Sequence, residues 1–306
     1  MKQMKNNGML LLTALIWGCS FVAQSVGMDY VGPFTFNCVR CVIGSAVLVP
    51  VIFLMDRQKK KDKMSKGELK KDRGGTKTLV TGGICCGVVL AVASSLQQFG
   101  ILYTTVGKAG FITAMYIVLV PVLGIFIGKK VRPLIFLCVA MAVAGLYFLC
   151  MTERLSLNIG DLLVLLCAVV FTIHILVIDH FSPLVDGVRM SAIQFLTAGI
   201  VCAVPMLLWE DPKVGEILTA WMPVLYAGVM SCGVAYTLQI LGQKNADPTV
   251  ASLLLSLESV FSVLAGWVLL GQGLSNRELF GCALMFVAII LAQLPKKNRK
   301  NETVKV

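Results

Sequence analysis

Ten apolar segments, each roughly 20 residues long, follow one another along almost the whole of this 306-residue chain. About 20 apolar residues in a helix are enough to cross the ~30 Å hydrocarbon core of a bilayer. Mean hydropathy is +0.84, and only 14% of the residues are charged, so little chain remains for a soluble domain. Most soluble enzymes are thereby excluded. The sequence predicts spans at 9–28, 33–55, 78–102, 108–128, 132–151, 159–179, 187–209, 219–242, 248–271 and 277–295.

The length of these segments also selects their secondary structure. A chain that crosses a bilayer must satisfy its backbone hydrogen bonds internally, which a helix does within a single segment. A membrane β-barrel would need alternating segments of about 10 residues, and no such pattern is visible. The fold class predicted is therefore an all-α membrane protein with ten transmembrane helices.

The basic residues are distributed very unequally between the connections. With the N-terminus in the cytoplasm, 22 of the 27 Lys and Arg residues fall on the cytoplasmic side and four on the other, while Arg40 lies within a span. This bias predicts that both termini are cytoplasmic, and it accounts for the net charge of +11 without a nucleic-acid partner. The long basic connection Asp56–Lys77 either sets this topology or contacts anionic membrane lipid.

The ten spans divide into two halves of five, 9–151 and 159–295, joined by a connector around Glu153–Asn158. Five is odd, so the second half enters the membrane in the opposite sense to the first. Two inverted five-helix repeats are a recurrent plan of secondary transporters, whose substrate site lies near the membrane midplane between the halves.

Four stretches of the sequence match motifs of one membrane-protein family. They are Trp17–Val22, with its W-G-x-x-F pattern; Phe34 to Arg40, which contains an F-x-x-x-R pattern; Gly107–Ala114 followed by Val120–Pro121; and Ala251–Ser259 through Gly271–Gln272. In these stretches, and over nearly its whole length, the chain resembles the EamA family of the drug/metabolite transporter superfamily.

The resemblance implies a ten-helix transporter with a central cavity, peripheral fifth and tenth spans, and a place in the bacterial plasma (inner) membrane. It does not identify the substrate, because the family is similar to transporters of many unrelated small molecules. The family often has Glu-Pro where this chain has Glu258–Ser259, and Gly-Glu where it has Gly271–Gln272. A kink at position 259 and a carboxylate at position 272 are therefore not implied.

Glu258 is the most informative single residue, because it lies near the middle of an apolar span. A carboxyl group there is expensive, and such groups usually face a partner, a cavity or an ion path. We expect Glu258 to bind a proton or a substrate amine, or else to hydrogen-bond a neighbouring helix.

Arg40 cannot lose its proton and needs an acceptor. That acceptor is a structural partner, such as backbone carbonyls or Glu258, or a substrate carboxylate or phosphate.

Other polar and aromatic side chains within the spans are candidates for lining a pathway. Each could instead serve helix packing or interhelical hydrogen bonding. His174 could carry protons near neutral pH, and the two aromatic types could border a ligand. The candidates are Gln97 and Gln98 in span 3, Tyr116 in span 4, His174 in span 6, Tyr236 and Gln239 in span 8, and Trp17 in span 1.

No sequence pattern indicates a catalytic, metal or cofactor site. Cys38–Cys41 forms an isolated C-x-x-C without a second pair or a nearby His, which is a weak metal signal. No Walker A pattern and no clustered titratable groups of a membrane enzyme are found. We expect no cofactor and no metal.

The sequence therefore predicts a secondary transporter that exports a small organic metabolite or drug by alternating access, with protons as a candidate coupling ion. The alternatives are a membrane-embedded enzyme or lipid-handling protein, and a non-transporting membrane partner or sensor.

Overall fold

A computed structural model of the chain describes residues 2–66, 75–104, 106–128, 131–150, 158–244, 246–270 and 275–292. These residues form helices and contain no strand. The tail, Gln272 and most of the connector around Glu153 lie outside the described residues, as does the 67–74 part of the basic connection. The helices are α1 (Lys2–Gly27), α2 (Pro33–Lys66), α3 (Thr76–Tyr103), α4 (Val106–Thr113), α5 (Tyr116–Phe126), α6 (Pro133–Cys150), α7 (Ile159–Phe181), α8 (Gly187–Trp209), α9 (Val214–Thr219), α10 (Trp221–Leu225), a π-helical segment (Tyr226–Tyr236), α11 (Thr237–Gln243), α12 (Pro248–Leu255), α13 (Glu258–Leu270) and α14 (Asn276–Ala292).

All ten predicted spans are helical. Within the described residues, eight helical stretches are long and apolar enough to cross a bilayer, and two shorter apolar helices, Pro133–Phe148 and Leu279–Ala292, match spans 5 and 10. The fourth span consists of α4 and α5, the eighth of α10, the π-helical segment and α11, and the ninth of α12 and α13. The predicted all-α membrane fold is therefore confirmed.

The packing of the spans follows the two-fold relation of the repeats. Span 1 packs on spans 8 and 9, and its counterpart, span 6, packs on spans 3 and 4. Span 2 packs on span 7, and span 5 on span 10, so both of these pairs join equivalent members of the two halves. Spans 1–4 and 6–9 enclose the centre of the bundle. Spans 5 and 10, which are α6 and α14, pair with each other and contact the other spans mainly through spans 4 and 9.

The fourth and ninth spans are each broken near their middle, although the sequence predicts continuous helices. α4 ends at Thr113 and α5 begins at Tyr116, while α12 ends at Leu255 and α13 begins at Glu258. The breaks are tight turns in which the amides bond three residues back, as from Leu257 to the carbonyl of Leu254 at 3.3 Å. The ninth span thus breaks without a proline at position 259, because local hydrogen bonds satisfy the backbone instead.

The eighth span also departs from a regular α-helix. Its middle, Tyr226–Tyr236, is π-helical, a rare conformation that frequently occurs at functional sites. α2 approaches this segment closely: a side chain at Gly228 would meet Ile43 at 2.7 Å, and one at Gly44 would meet Cys232 at 2.5 Å. The lack of side chains at Gly228 and Gly44 therefore lets the π-helical segment, which ends at Tyr236, pack closely on α2.

Candidate functional site

A cavity lies at the centre of the bundle, between spans 1, 2, 3, 4, 6, 8 and 9. The cavity has a volume of about 30 Å³, which is room for about two water molecules. A cavity of this size must widen to admit a metabolite. Its lining combines aromatic and polar side chains: Trp17, Ser20, Phe21, Gln24, Arg40, Gln97, Thr113, Tyr116, Phe171, Ile175, Ser231, Tyr236, Gln239, Leu255 and Glu258.

The two helix breaks bring a tyrosine and a carboxyl group together at this cavity. Tyr116 is the first residue of α5 and Glu258 the first of α13, and the Tyr116 hydroxyl donates a hydrogen bond to Glu258 Oε1 at 3.0 Å. The N-terminus of α13 favours the negative charge of a carboxylate in its first turn. Ser259 Oγ donates to the carbonyl oxygen of Gly110 at 3.1 Å, which ties the two broken spans together.

Arg40 reaches the same cavity from α2. Its Nη1 donates to Gln24 Oε1 at 3.2 Å, and its guanidinium carbon lies 5.6 Å from the centre of the Phe36 ring. The suggested pairing with Glu258 is absent, because within the described residues no ion pair or hydrogen bond joins the two. Arg40 Nε is buried and has no hydrogen-bond partner there. A buried cation with one neutral acceptor is under-compensated, and this favours a further acceptor in the cavity.

Aromatic rings form the wall of the cavity around Tyr236. The centres of the Trp17 and Tyr236 rings are 4.5 Å apart, and Phe195 lies behind Tyr236 at 5.4 Å. Trp17 Nε1 is buried without a hydrogen-bond partner in the described structure. This N–H group is therefore available to an acceptor.

The glutamines predicted to line a pathway divide into two groups. Gln97 and Gln239 line the cavity, and Gln97 Nε2 donates to Thr113 Oγ1 at 3.3 Å. Gln98 does not line it, and its Nε2 instead donates to the carbonyl oxygen of Gln24 at 3.4 Å. Gln98 thus positions the backbone of Gln24, and the side chain of Gln24 in turn accepts the hydrogen bond from Arg40.

His174 is fully buried outside the cavity lining. Its Nε2 lies 3.0 Å from Gln194 Oε1, and its ring centre is 5.9 Å from that of Tyr236. His174 therefore lies behind the cavity lining, against the rings of Tyr236 and Phe171, and its polar partner is Gln194 on α8.

Ser20 and Gln24 line the cavity but are not among the residues predicted from the sequence. They lie three and seven positions after Trp17, so all three share one face of α1. This spacing of polar residues in an otherwise apolar span could have identified Ser20 and Gln24 from the sequence. Ser231 and Thr113, which also line the cavity, carry no comparable pattern.

Comparisons with other proteins give the same fold and class. An uncharacterized transporter of Archaeoglobus fulgidus is 30% identical over 286 residues, covering 93% of this chain and 84% of that protein. The uncharacterized inner membrane transporter YedA of Escherichia coli is 23% identical over 290 residues, covering 94% of this chain and 90% of YedA. A solved crystal structure superposes with a TM-score of 0.71 at 18% identity, covering 93% of this chain and 95% of that one.

The family match extends over almost the whole chain. The model of the EamA-like transporter family matches twice, at residues 5–151 and 158–294. The chain is thus a multi-pass membrane protein, and its relatives are named transporters rather than enzymes. These matches, with the ten helical spans described above, show that the chain belongs to the EamA-like transporter family.

Proposed function

We propose that this transporter exports a small organic metabolite across the plasma membrane by alternating access, with both termini in the cytoplasm. The supporting observation is the pair of broken helices in equivalent spans, whose free ends meet at the Tyr116–Glu258 hydrogen bond beside the central cavity. Discontinuous helices in corresponding positions of inverted repeats point to the substrate site of a secondary transporter.

The two-fold packing offers a route to alternating access. Span 1 rests on span 8 in the way that span 6 rests on span 3. If the two halves exchange these arrangements, a cavity open to one side becomes a cavity open to the other.

Glu258 is our candidate for coupling transport to protons. It is 5% exposed and borders the cavity, and its Oε1 accepts the hydrogen bond from Tyr116. An intramembrane carboxyl group at a cavity can gain and lose a proton as the cavity opens to each side.

The first test compares metabolites inside cells and in the medium, with the intact chain, without it, and with Glu258→Gln. Glu216→Gln is the control, because Glu216 lies on α9, away from the cavity, next to Lys213. We expect one class of solute to accumulate in the medium with the intact chain and with Glu216→Gln only. A new chemical product would instead indicate an enzyme, and no redistribution would contradict the proposal.

A second measurement separates the two roles considered for Glu258. Proteoliposomes holding Glu258→Gln are tested for exchange of the solute at equal pH and for its accumulation under an imposed pH gradient. Exchange without gradient-driven accumulation assigns Glu258 to proton coupling. Loss of both assigns it to substrate binding, and normal gradient-driven accumulation removes it from the mechanism.

A further inference from the structure

A second cavity lies on the outside of the bundle, between α3 and α8, and shares no lining residue with the central one. Its volume is about 530 Å³, against about 30 Å³ for the central cavity. Val92 on its α3 wall and Val201 on its α8 wall are 46% and 36% exposed. Because both helices are spans of a membrane protein, this opening faces the acyl chains of the bilayer. We call the cavity the lateral groove.

The lateral groove forms because α3 and α8 touch near their starts and separate towards their ends. Near the starts, glycines on α3 allow close packing: a side chain at Gly83 would meet Ile193 at 2.5 Å, and one at Gly87 would meet the carbonyl oxygen of Gln194 at 2.5 Å. Beyond this contact α3 stays against α7 and α8 stays against α2. The gap between these two helix pairs is the groove.

The length of the groove corresponds to one leaflet of the membrane. Its α3 wall runs from Ala91 to Tyr103, the last residue of that helix, which is a rise of about 18 Å. Half of a ~30 Å hydrocarbon core is about 15 Å. The other walls belong to the same end of the bundle, with Phe34 near the start of α2, Leu163 near the start of α7 and Pro205 near the end of α8. The groove therefore runs along the helices from the membrane surface to about the midplane.

The lining of the groove is apolar and offers no free hydrogen-bonding group in its interior. Ser95 Oγ lies 3.9 Å from Cys202 Sγ, and the only other polar side chain of the lining, Tyr103, is 57% exposed at the surface end. None of the lining residues, all of which the structure describes, has a buried side-chain N or O atom without a partner. Water needs polar partners to occupy such a space, and an empty groove forfeits the dispersion contacts of its walls. A flexible apolar chain fits these conditions.

The surface end of the groove carries aromatic residues typical of a membrane interface. The centre of the Phe34 ring lies 5.0 Å from that of Phe99 and 5.9 Å from that of Trp209. Trp209 ends α8 and is 75% exposed, at the same end of the bundle as Tyr103. Trp and Tyr side chains concentrate at the level of the lipid headgroups, because each combines an apolar ring with a polar group. The mouth of the groove thus lies where the headgroup of a lipid would lie.

We propose that the lateral groove binds one acyl chain of a membrane phospholipid, with the headgroup beside Tyr103 and Trp209. With both termini in the cytoplasm, this lipid belongs to the outer leaflet. The chain lies at a seam between the two halves of the protein, since span 3 forms one wall of the groove and span 7 the other. The site requires only that the chain spans the membrane, and it does not depend on the solute that is transported.

The test uses proteoliposomes of the full chain in phosphatidylethanolamine and phosphatidylglycerol. A trace of phosphatidylethanolamine carries a diazirine at the middle of one acyl chain, and the residues that it labels after irradiation are identified by mass spectrometry of peptides. Every lipid-facing residue collects some label, so Ile84, which is 44% exposed on α3 outside the groove, is the reference. We expect several-fold more label at Ser95 and Phe99 than at Ile84.

Two substitutions fill the groove from opposite walls. Val92→Phe and Val201→Phe each place a larger side chain at its opening, and Ile84→Phe makes a similar addition at an equally exposed position of α3. Label at Ser95 and Phe99 should fall several-fold in the first two variants and stay unchanged in Ile84→Phe. In native mass spectrometry, the detergent-purified protein and Ile84→Phe should each retain one phospholipid mass that the filled variants lose.

Three results would overturn the phospholipid assignment. Label at Ser95 and Phe99 no higher than at Ile84 would show that the groove meets only the general lipid layer. Label unchanged by both filling substitutions would place the lipid elsewhere, and a retained mass of a free fatty acid or another apolar compound would replace the phospholipid. The labelling of the intact protein decides the question even where a variant fails to fold. The proposed transport function stands in each case, because solute movement is measured separately.

Discussion

At the scale of single residues, the site depends on two charged side chains, Arg40 and Glu258, each of which has one side-chain hydrogen-bond partner. The Tyr116 hydroxyl holds Glu258, and Gln24 holds Arg40. These two hydrogen bonds leave the other polar atoms of the Arg40 guanidinium and the Glu258 carboxyl group without a strong partner, and both side chains line the central cavity. A ligand can therefore bind without displacing a strong internal ion pair, which lowers the free-energy cost of binding.

Tyr116→Phe should lower the transport rate and the thermal stability of the protein. The substitution removes the donor to Glu258 Oε1, and a buried polar group without its partner costs about 1–3 kcal/mol. Tyr103→Phe is the matched control, because Tyr103 lies at the end of α3 and is 57% exposed. The unfolding temperature in detergent and the solute exchange rate are compared. Equal effects of the two substitutions would contradict the role of the Tyr116 hydroxyl.

Much of the candidate site could be predicted because a polar residue in an apolar span is conspicuous. Glu258, Arg40, Gln97 and Gln239 all line the cavity. The aromatic candidates, Trp17, Tyr116 and Tyr236, line it too. Gln98 and His174, chosen by the same reasoning, have partners on adjacent helices instead. Polarity in a span thus indicates that a side chain avoids lipid, but it does not tell a cavity from a helix interface.

At the scale of elements, helix breaks and close helix contacts position the site. The break in span 9 could not be predicted, because the turn Ser256–Leu257 before Glu258 contains no proline or glycine. Ser252 Oγ and Ser256 Oγ bond to the carbonyls of Thr249 and Leu253, at 2.9 and 2.8 Å. Such local bonds compete with the helical pattern, and whether they break a helix depends on packing that the sequence does not reveal.

Gly18→Ala should destabilise the contact between α1 and α13. A Cβ atom at this position would lie 2.5 Å from the Phe261 Cβ atom and 2.8 Å from the Glu258 carbonyl oxygen. The helices must therefore separate, at a cost of about 1–3 kcal/mol. Gly8→Ala, on the same helix with nothing within 4 Å, should be neutral or slightly stabilising. The two unfolding temperatures are compared, and a Gly18→Ala protein as stable as Gly8→Ala would contradict the contact.

Spans 2 and 7 are joined at both of their ends. Near the start of α2, Glu210 accepts hydrogen bonds from the amides of Phe34 at 2.9 Å and Thr35 at 2.7 Å. Near the other end of the pair, Arg189 on α8 and Asp56 form an ion pair at 2.6 Å. The carboxylate of Glu210, the residue that follows α8, thus caps α2, and its charge is favourable at the helix N-terminus.

Glu210→Gln should loosen the first turn of α2. The neutral amide accepts with one oxygen only and loses the favourable charge, each effect being worth about 1 kcal/mol or less. Hydrogen exchange at the Phe34 and Thr35 amides should accelerate several-fold, while Glu216→Gln on the nearby helix α9 leaves it unchanged. Unaltered exchange in Glu210→Gln would show that the cap does not hold this helix end.

At the scale of the whole molecule, hydropathy carried the prediction furthest. Each apolar segment of the sequence is helical, although spans 4, 8 and 9 are not single α-helices, and the two-fold pairing of the spans agrees with two inverted repeats. The limits of the repeats at 9–151 and 159–295 and the orientation of the chain in the membrane stay predictions. Orientation depends on the distribution of charge relative to the bilayer, which packing contacts alone do not define.

A C-terminal fusion tests the predicted orientation. Green fluorescent protein at the C-terminus should fluoresce in a bacterial host, whereas alkaline phosphatase at the same place should be inactive, because both termini are predicted to be cytoplasmic. Replacing the basic residues of the Asp56–Lys77 connection by glutamine should weaken this bias and produce a mixed population. Active phosphatase on the unmodified chain would reverse the assigned orientation.

Solute counterflow tests the central claim most directly. Proteoliposomes are loaded with the unlabelled solute identified in cells, and the entry of a trace of the same labelled solute is followed at equal pH. An alternating-access carrier should concentrate the label transiently inside the vesicles, and Glu216→Gln should do the same. A carrier that binds through Arg40 should lose this overshoot on Arg40→Gln. Entry of label without overshoot in the intact protein, or an unchanged overshoot in Arg40→Gln, would contradict the account.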